Sequence, residues 1–225
     1  VKYENYLTQE QRNSVLKEIE TFPIIENIQP QNSILNNVAR NNTPGLYHLI
    51  YESDLFSICA RAVHRRIMDA KAKDHFLQTS YIQRLQNNPG MNDIQKVCHS
   101  DVFFPCLKYW YFPETVTIEN GPFNYALNSV QLTQEVLEFW HEESIKIVTD
   151  TWDKNRNKGH AEGSLRALPD DLKRMGYELT PITVKQNTLV IANTSGWHCR
   201  GDAKKPSIRN AVHGAIRVET PFEVY

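Results

Sequence analysis

From about residue 78 the chain breaks into short runs of apolar, aromatic and β-branched residues bounded by turn residues: QTSYIQRL, QKVCHSDVFF, LKYWYF, PFNYAL, PITVK, TLVIANT and SIRNAVHGAIRVE. Each reads as a strand. The residues before them are helical in pattern. LTQEQRNSVLKEIETF offers Thr8 as an N-cap with Gln11 three positions on, a capping box that leads into Val15, Leu16 and Ile19. SDLFSICARAVHRRIMDA sets Leu55, Ile58, Ala62, Val63 and Ile67 on one helical stripe. One more helical segment, LTQEVLEFWHEESIKIVTDTW, is inserted between the fourth and fifth strands and is followed by the polar DKNRNKGHAEG. Strands and helices do not alternate, which argues against a parallel α/β fold. The pattern predicts a mainly β chain, a sandwich or jelly roll, with helices packed on one sheet. At 225 residues, with no repeat and no linker-like stretch, a single domain over 1–225 is expected.

The charge balance narrows the function classes. Twenty-five Lys and Arg face 26 Asp and Glu, a formal net charge of −1, so no global electrostatic footprint for nucleic acid or an anionic membrane exists. The densest basic stretch, RAVHRRIMDAKAK, reads as the solvated face of a helix. No apolar run reaches the length of a membrane span. A small-molecule ligand is the expected partner. The four cysteines, Cys59, Cys98, Cys106 and Cys199, show no CxxC spacing, and a reducing, cytoplasmic setting is expected.

Two polar residues interrupt the apolar run KVCHSDVFFPCLKYWYF. On a strand, His99 and Asp101 leave from the same face. Burying an imidazole beside a carboxylate costs on the order of several kcal/mol unless both find strong partners, and a divalent cation satisfies both at once. A His-x-Asp pair is also compatible with an internal hydrogen bond or a solvated strand edge, which is the commoner case. The carboxyl-terminal third adds two features. His198 follows an apolar strand and a Ser-Gly turn, where a side chain can reach into a barrel mouth. Arg209 comes eleven residues later, with Ser207 two before it on the same strand face. A guanidinium fork beside a hydroxyl is the geometry that grips a carboxylate.

Taken in order, His99-x-Asp101, ENGPFNYALNS, the apolar strand, His198 and the SIR ending in Arg209 resemble the phytanoyl-CoA dioxygenase-like group of iron(II)/2-oxoglutarate oxygenases. The resemblance runs from about residue 5 to residue 218 and includes the NYLTQEQ opening and LPDDLKRMGYELTPITVKQNTLVIANT ahead of the second histidine. It implies a double-stranded β-helix, the jelly-roll or cupin-like core, with the amino-terminal helices on one sheet. It also implies iron ligation by His99, Asp101 and His198, with Arg209 and Ser207 on the distal carboxylate of 2-oxoglutarate. Trp110, eleven residues before Gly121, matches an aromatic lining the cosubstrate pocket. The implied cofactors are Fe(II), 2-oxoglutarate and dioxygen, and the implied reaction hydroxylates a small molecule while the keto acid becomes succinate and carbon dioxide. An aspartate at position 101, where a small residue would open a halide site, favours hydroxylation over halogenation. The chain departs from the group at ALNS, residues 126 to 129, where relatives read PGSH, and at KQN ahead of the last apolar strand, where relatives carry a Gly-Asp turn.

Alternation along the strands supplies further expectations. Lys108 shares a face with Trp110 and either reaches the pocket or snorkels to the surface, while Tyr109 and Tyr111 face the core. Cys98 and Cys199 point away from the ligands and pack. Ile208, Val212 and Ile216 form an apolar face suited to packing under helices, opposite Arg209 and the small Ala211. His213 falls on the Arg209 face, where it could serve the site from behind the ligands, but a hydrogen-bonded core histidine is the expected reading. Two other functions fit parts of this pattern: a cupin-like metal enzyme that uses no keto acid, and a metal-free jelly-roll binding module.

Overall fold

The computed structural model describes residues 1–21, 25, 26, 32–35, 38, 40–63, 76–101, 103, 106–149 and 164–218. Strand β1 (Lys2–Glu4) precedes helix α1 (Gln9–Thr21), which starts where the capping box sets it. The Gln11 amide donates to Thr8 Oγ1 at 3.3 Å and the Thr8 amide to Gln11 Oε1 at 2.9 Å, so two donors at the helix start are satisfied reciprocally. Strands β2 (Ile25–Glu26) and β3 (Asn32–Leu35) follow. Helix α2 (Pro44–Tyr47) runs on through a π-helical turn (His48–Glu52) to α3 (Leu55–Val63). Ile67, placed on the α3 stripe by its spacing, lies outside the described residues, as does DKNRNKGHAEG.

The remaining elements are β4 (Phe76–Asn87), β5 (Cys98–Ser100), β6 (Cys106–Phe112), β7 (Phe123–Ala126), α4 (Gln134–Val148), β8 (Leu165–Ala167), α5 (Pro169–Arg174), β9 (Leu179–Ile182), β10 (Thr188–Asn193), β11 (His198–Arg200) and β12 (Ser207–Val218). They form two antiparallel sheets, ordered β1-β10-β6-β12-β4-β3-β2 and β8-β5-β11-β7-β9. Strands distant in sequence are neighbours in both, which is the jelly-roll, double-stranded β-helix arrangement. No helix among the described residues is long and apolar enough to cross a membrane.

Alternation along the strands divides the core into three layers. Tyr109, Tyr111, Leu189, Ile191, Val212 and Ile216 leave the large sheet on its outer face and pack beneath α1 to α3 against Val15, Ile19, Leu46 and Leu55. Cys98, Ala126, Trp197 and Cys199 leave the small sheet outward and meet Val136 and Phe139 of α4 and Leu172 of α5. Between the sheets lie Trp110, Phe112, Phe123, Val184, Val190 and Ala211. The amino-terminal helices therefore cover one sheet, as the pattern predicts, and the inserted helix α4 covers the other.

The structure revises two local expectations and adds strands that the pattern does not show. Among the described residues of QKVCHSDVFF, Cys98–Ser100 alone is strand, preceded by a 3-10 turn over Ile94–Lys96, and Asp101 sits just past the strand end. Ile208 is 57% exposed and does not pack under the helices, because the helical layer covers β12 at Val212 and Ile216 but not at its start. Short strands β1, β8 and β11, of three residues each, had no alternation long enough to be read.

Candidate metal centre

His99 and His198 stand directly across from one another on β5 and β11, with ring centroids 4.4 Å apart. Each ring places Nδ1 2.9 Å from the carbonyl oxygen two residues before it, Val97 O for His99 and Gly196 O for His198. A carbonyl can only accept, so each Nδ1 carries the proton and each Nε2 presents a lone pair. Asp101 is held by its amide, which donates to Thr194 O at 2.9 Å. Its Oδ1 lies 4.0 Å from His99 Nε2 and its Oδ2 3.7 Å from His198 Nε2. All three side chains offer ligand atoms within 4.8 Å of one another.

Protonation favours the same use. Burial, with the neighbouring His198 ring adding to it, holds His99 well below the usual imidazole range, and burial brings His198 down to about 4 against the pull of Asp101. Burial alone would raise the Asp101 carboxyl, but the Lys108 ammonium 2.7 Å away outweighs it and holds the group below the usual carboxylate range. Two neutral imidazoles and an ionised carboxylate are the states a divalent metal requires, since protonated ligands must first lose a proton.

The two imidazoles open on a cavity of about 180 Å3 between the sheets, lined among others by Tyr81, Gln83, Lys108, Trp110, Phe123, Arg200, Arg209 and His213. That is small beside the ~300–1,000 Å3 of pockets for drug-sized ligands, and it suits a compact molecule. Lys108 reaches the site from β6, its Nζ 2.7 Å from Asp101 Oδ2, with the side chain 24% exposed. Trp110 forms a wall, its ring 4.5 Å from Phe123 and 4.9 Å from His213.

Arg209 is buried on the inward face of β12. Its Nη1 donates to Gly121 O, its guanidinium lies 5.9 Å from the Phe112 ring centre, and its Nε has no hydrogen-bond partner among the described residues. Burial lowers it to about 9, with Arg200 contributing, yet it remains a cation at neutral pH. Gly121 adopts φ +67°, and a Cβ there would overlap Asn87 Nδ2 and Gly201 O. Only glycine lets that carbonyl meet Arg209. Ser207 Oγ, two residues before Arg209, is also buried without a partner among the described residues.

Cys98 and Cys199 lie on the opposite face of the small sheet, in the layer under α4 and α5. His213 departs from its expected role. Neither ring nitrogen has a hydrogen-bond partner among the described residues, and the side chain lines the cavity. Tyr81, Gln83, Gln95 and Arg200 also line it and carry no sequence signature of a site. Tyr81 and Gln83 alternate on β4, and that alternation was the only available hint.

No family model matches this chain, and no curated protein matches it. Solved structures do. HygX from Streptomyces hygroscopicus, with nickel and 2-oxoglutarate bound, aligns over 97% of this chain and 82% of its own at 12% identity and TM-score 0.58. The epimerase SnoN, in complex with Fe3+, alpha ketoglutarate and nogalamycin RO, aligns over 98% and 79% at 13% identity and TM-score 0.57. The non-heme alpha ketoglutarate dependent carbocyclase SnoK from nogalamycin biosynthesis aligns over 96% and 78% at 15% identity and TM-score 0.54. The chain thus shares its fold, a jelly-roll core flanked by helices, with these three proteins.

Proposed function

We propose that this chain is a single-domain Fe(II)- and 2-oxoglutarate-dependent dioxygenase, of the phytanoyl-CoA dioxygenase-like kind, that hydroxylates a small molecule in the cytoplasm. One observation carries the reading. Two imidazoles with proton-free Nε2 atoms and an ionised carboxylate converge at a cavity that also holds a buried guanidinium with an unpaired Nε. The two-histidine, one-carboxylate set suits non-haem iron and leaves coordination positions for other ligands. The unpaired guanidinium edge asks for an external anion, and a carboxylate matches its fork. Structural neighbours that hold nickel or Fe3+ together with the keto acid support the pairing of the two features.

Within this reading His99 and His198 supply neutral nitrogen ligands and Asp101 the charged one. The backbone carbonyls of Val97 and Gly196 fix both ring orientations from behind, a support that raises ligand basicity. Arg209, aimed by Gly121 O, takes the distal carboxylate of 2-oxoglutarate, and Ser207 adds its hydroxyl. Trp110 walls the keto-acid space and excludes water. Lys108 holds Asp101 Oδ2 and can lend its charge to the keto acid. The bound iron, keto acid and dioxygen supply the oxidising chemistry, yielding succinate and carbon dioxide. The substrate is a small molecule, a reading supported by the neighbour structures that hold hygromycin B or nogalamycin RO.

A screen of candidate small molecules for stimulated succinate release, with iron and ascorbate supplied, tests the reading. Release that depends on both iron and substrate, with a product 16 Da heavier, is the expected result. Iron binding with no keto-acid consumption under any condition would leave the cupin-like metal enzyme standing instead, and failure to bind metal would leave the binding module.

A further inference from the structure

His213 lies on the inward face of β12, between Trp110 of β6 and Tyr81 of β4, its partners across the sheet. Trp110 stacks on the imidazole at 4.9 Å and 24°, and Tyr81 meets it edge-on at 4.7 Å and 80°. The clamped residue is 8% exposed, borders the cavity, and has no hydrogen-bond partner for Nδ1 or Nε2 among the described residues. An unpaired buried donor or acceptor lowers stability, and an apolar ring would fill the same gap without that cost. Packing therefore does not account for a histidine at this position, whereas a hydrogen bond to something in the cavity does.

The strand register indicates what that something is. Inward positions along β12 run Arg209, Ala211, His213, and on β6 Trp110 faces His213 while Lys108 lies one inward position further on, beside Asp101. A molecule held at one end by Arg209 and extending towards the histidine and aspartate trio passes the small Ala211 and then meets His213. Burial, with Lys108 contributing, keeps the ring neutral, so one nitrogen donates and the other accepts.

We propose that His213 is a binding residue for the keto acid, donating its ring N–H to the carboxylate at the end away from Arg209. The inference rests on the keto-acid reading and extends it, because one strand then contacts both ends of the di-acid. Calorimetric titration of 2-oxoglutarate into Ni(II)-loaded protein tests it, with metal affinity measured separately by chelator competition. His213→Phe keeps an aromatic ring between Trp110 and Tyr81 and removes both nitrogens, while His213→Gln keeps a donor.

The Phe variant should bind 2-oxoglutarate roughly ten- to a hundredfold more weakly, the size expected for a hydrogen bond to a charged group. The Gln variant should recover part of the loss, and metal affinity should stay at the parent value in both. Should the Phe variant fail to fold, His213→Met, which fills space without an N–H, takes its place with the same expected loss. Parent-like keto-acid affinity in the folded Phe or Met variant overturns the inference, and so does a Gln variant no better than either. A parent protein that binds nickel but not 2-oxoglutarate fails the keto-acid reading itself, which is a separate outcome from a parent that binds and variants that bind equally well.

Discussion

The two faces of the large sheet treat buried polar groups in opposite ways. On the outer side, under the amino-terminal helices, such groups are matched from within the chain. Glu18 is 8% exposed, and its carboxylate accepts from the amides of Gly45 and Leu46 and from Ser14 Oγ, each at 2.8 Å. Asn187, at the entrance to β10, accepts from the Leu7 amide and the Tyr111 hydroxyl and donates to Leu7 O. On the inner side, Asn87 Oδ1, Thr188 Oγ1, Ser207 Oγ, Arg209 Nε and both nitrogens of His213 have no partner among the described residues. One sheet thus carries a face whose polar groups are met mostly from within the chain, Asn210 Oδ1 near the uncovered start of β12 excepted, and a face where several buried polar atoms have no partner among the described residues. On the proposed function, stability belongs to the first and ligand binding to the second.

The largest expected effect is on the inner side. His99→Ala, His198→Ala or Asp101→Ala each removes one of three converging ligands, and each should abolish iron-dependent succinate release, a loss of at least about a hundredfold given that supporting groups alone are worth ~10–100-fold. Stoichiometric iron binding by anaerobic dialysis should fall in parallel, while the thermal midpoint of the metal-free protein stays near the parent value. Retained activity in Asp101→Ala at saturating iron would remove the carboxylate from the ligand set. Next comes Arg209→Ala, which leaves an anion without its cation at a cost of about 2–5 kcal/mol, or roughly 30- to several-thousand-fold in 2-oxoglutarate affinity. Arg209→Lys should recover only part, because the two-pronged fork is lost.

Two substitutions sharpen the contrast at smaller magnitude. Glu18→Ala strips the acceptors from two buried amides at the start of α2 and should cost about 2–3 kcal/mol in denaturant unfolding. Metal and keto-acid affinities should not change, and a loss of either would mean that the two faces are coupled. Thr188→Val replaces an unpaired inner hydroxyl with a methyl of the same shape, and should be neutral or stabilise the protein by up to about 1 kcal/mol. A clear loss of stability there would show that the inner hydroxyl is already paired.

Much of this division was legible in the sequence, and the missing parts have physical reasons. Thr8 and Gln11 announce the start of α1, and the alternation of Tyr109, Trp110 and Tyr111 assigns faces on β6. The placing of His99 beside Asp101 rests on one continuous strand, whereas Asp101 lies beyond the strand end and is set by the hydrogen bond its amide donates to Thr194 O. The two residues converge all the same. A hydrogen-bonded His213 is the expectation because most buried histidines are so paired, and only the register of β4, β6 and β12 reveals aromatic neighbours on both sides, with no partner for either ring nitrogen among the described residues. Tyr81 and Gln83 reach the cavity through the long-range pairing of β4 with β12, and Gln95 reaches it from the 3-10 turn ahead of β5, neither of which local pattern encodes.

The most direct test of the inner face as a ligand site is an anaerobic titration of 2-oxoglutarate into Fe(II)-loaded protein, followed by the weak visible charge-transfer absorption of a chelated keto acid. The account predicts saturable growth of that band at one equivalent, a curve displaced to higher concentration in Arg209→Ala, and no band in His198→Ala. An iron-loaded parent that shows no saturable response to 2-oxoglutarate would contradict it.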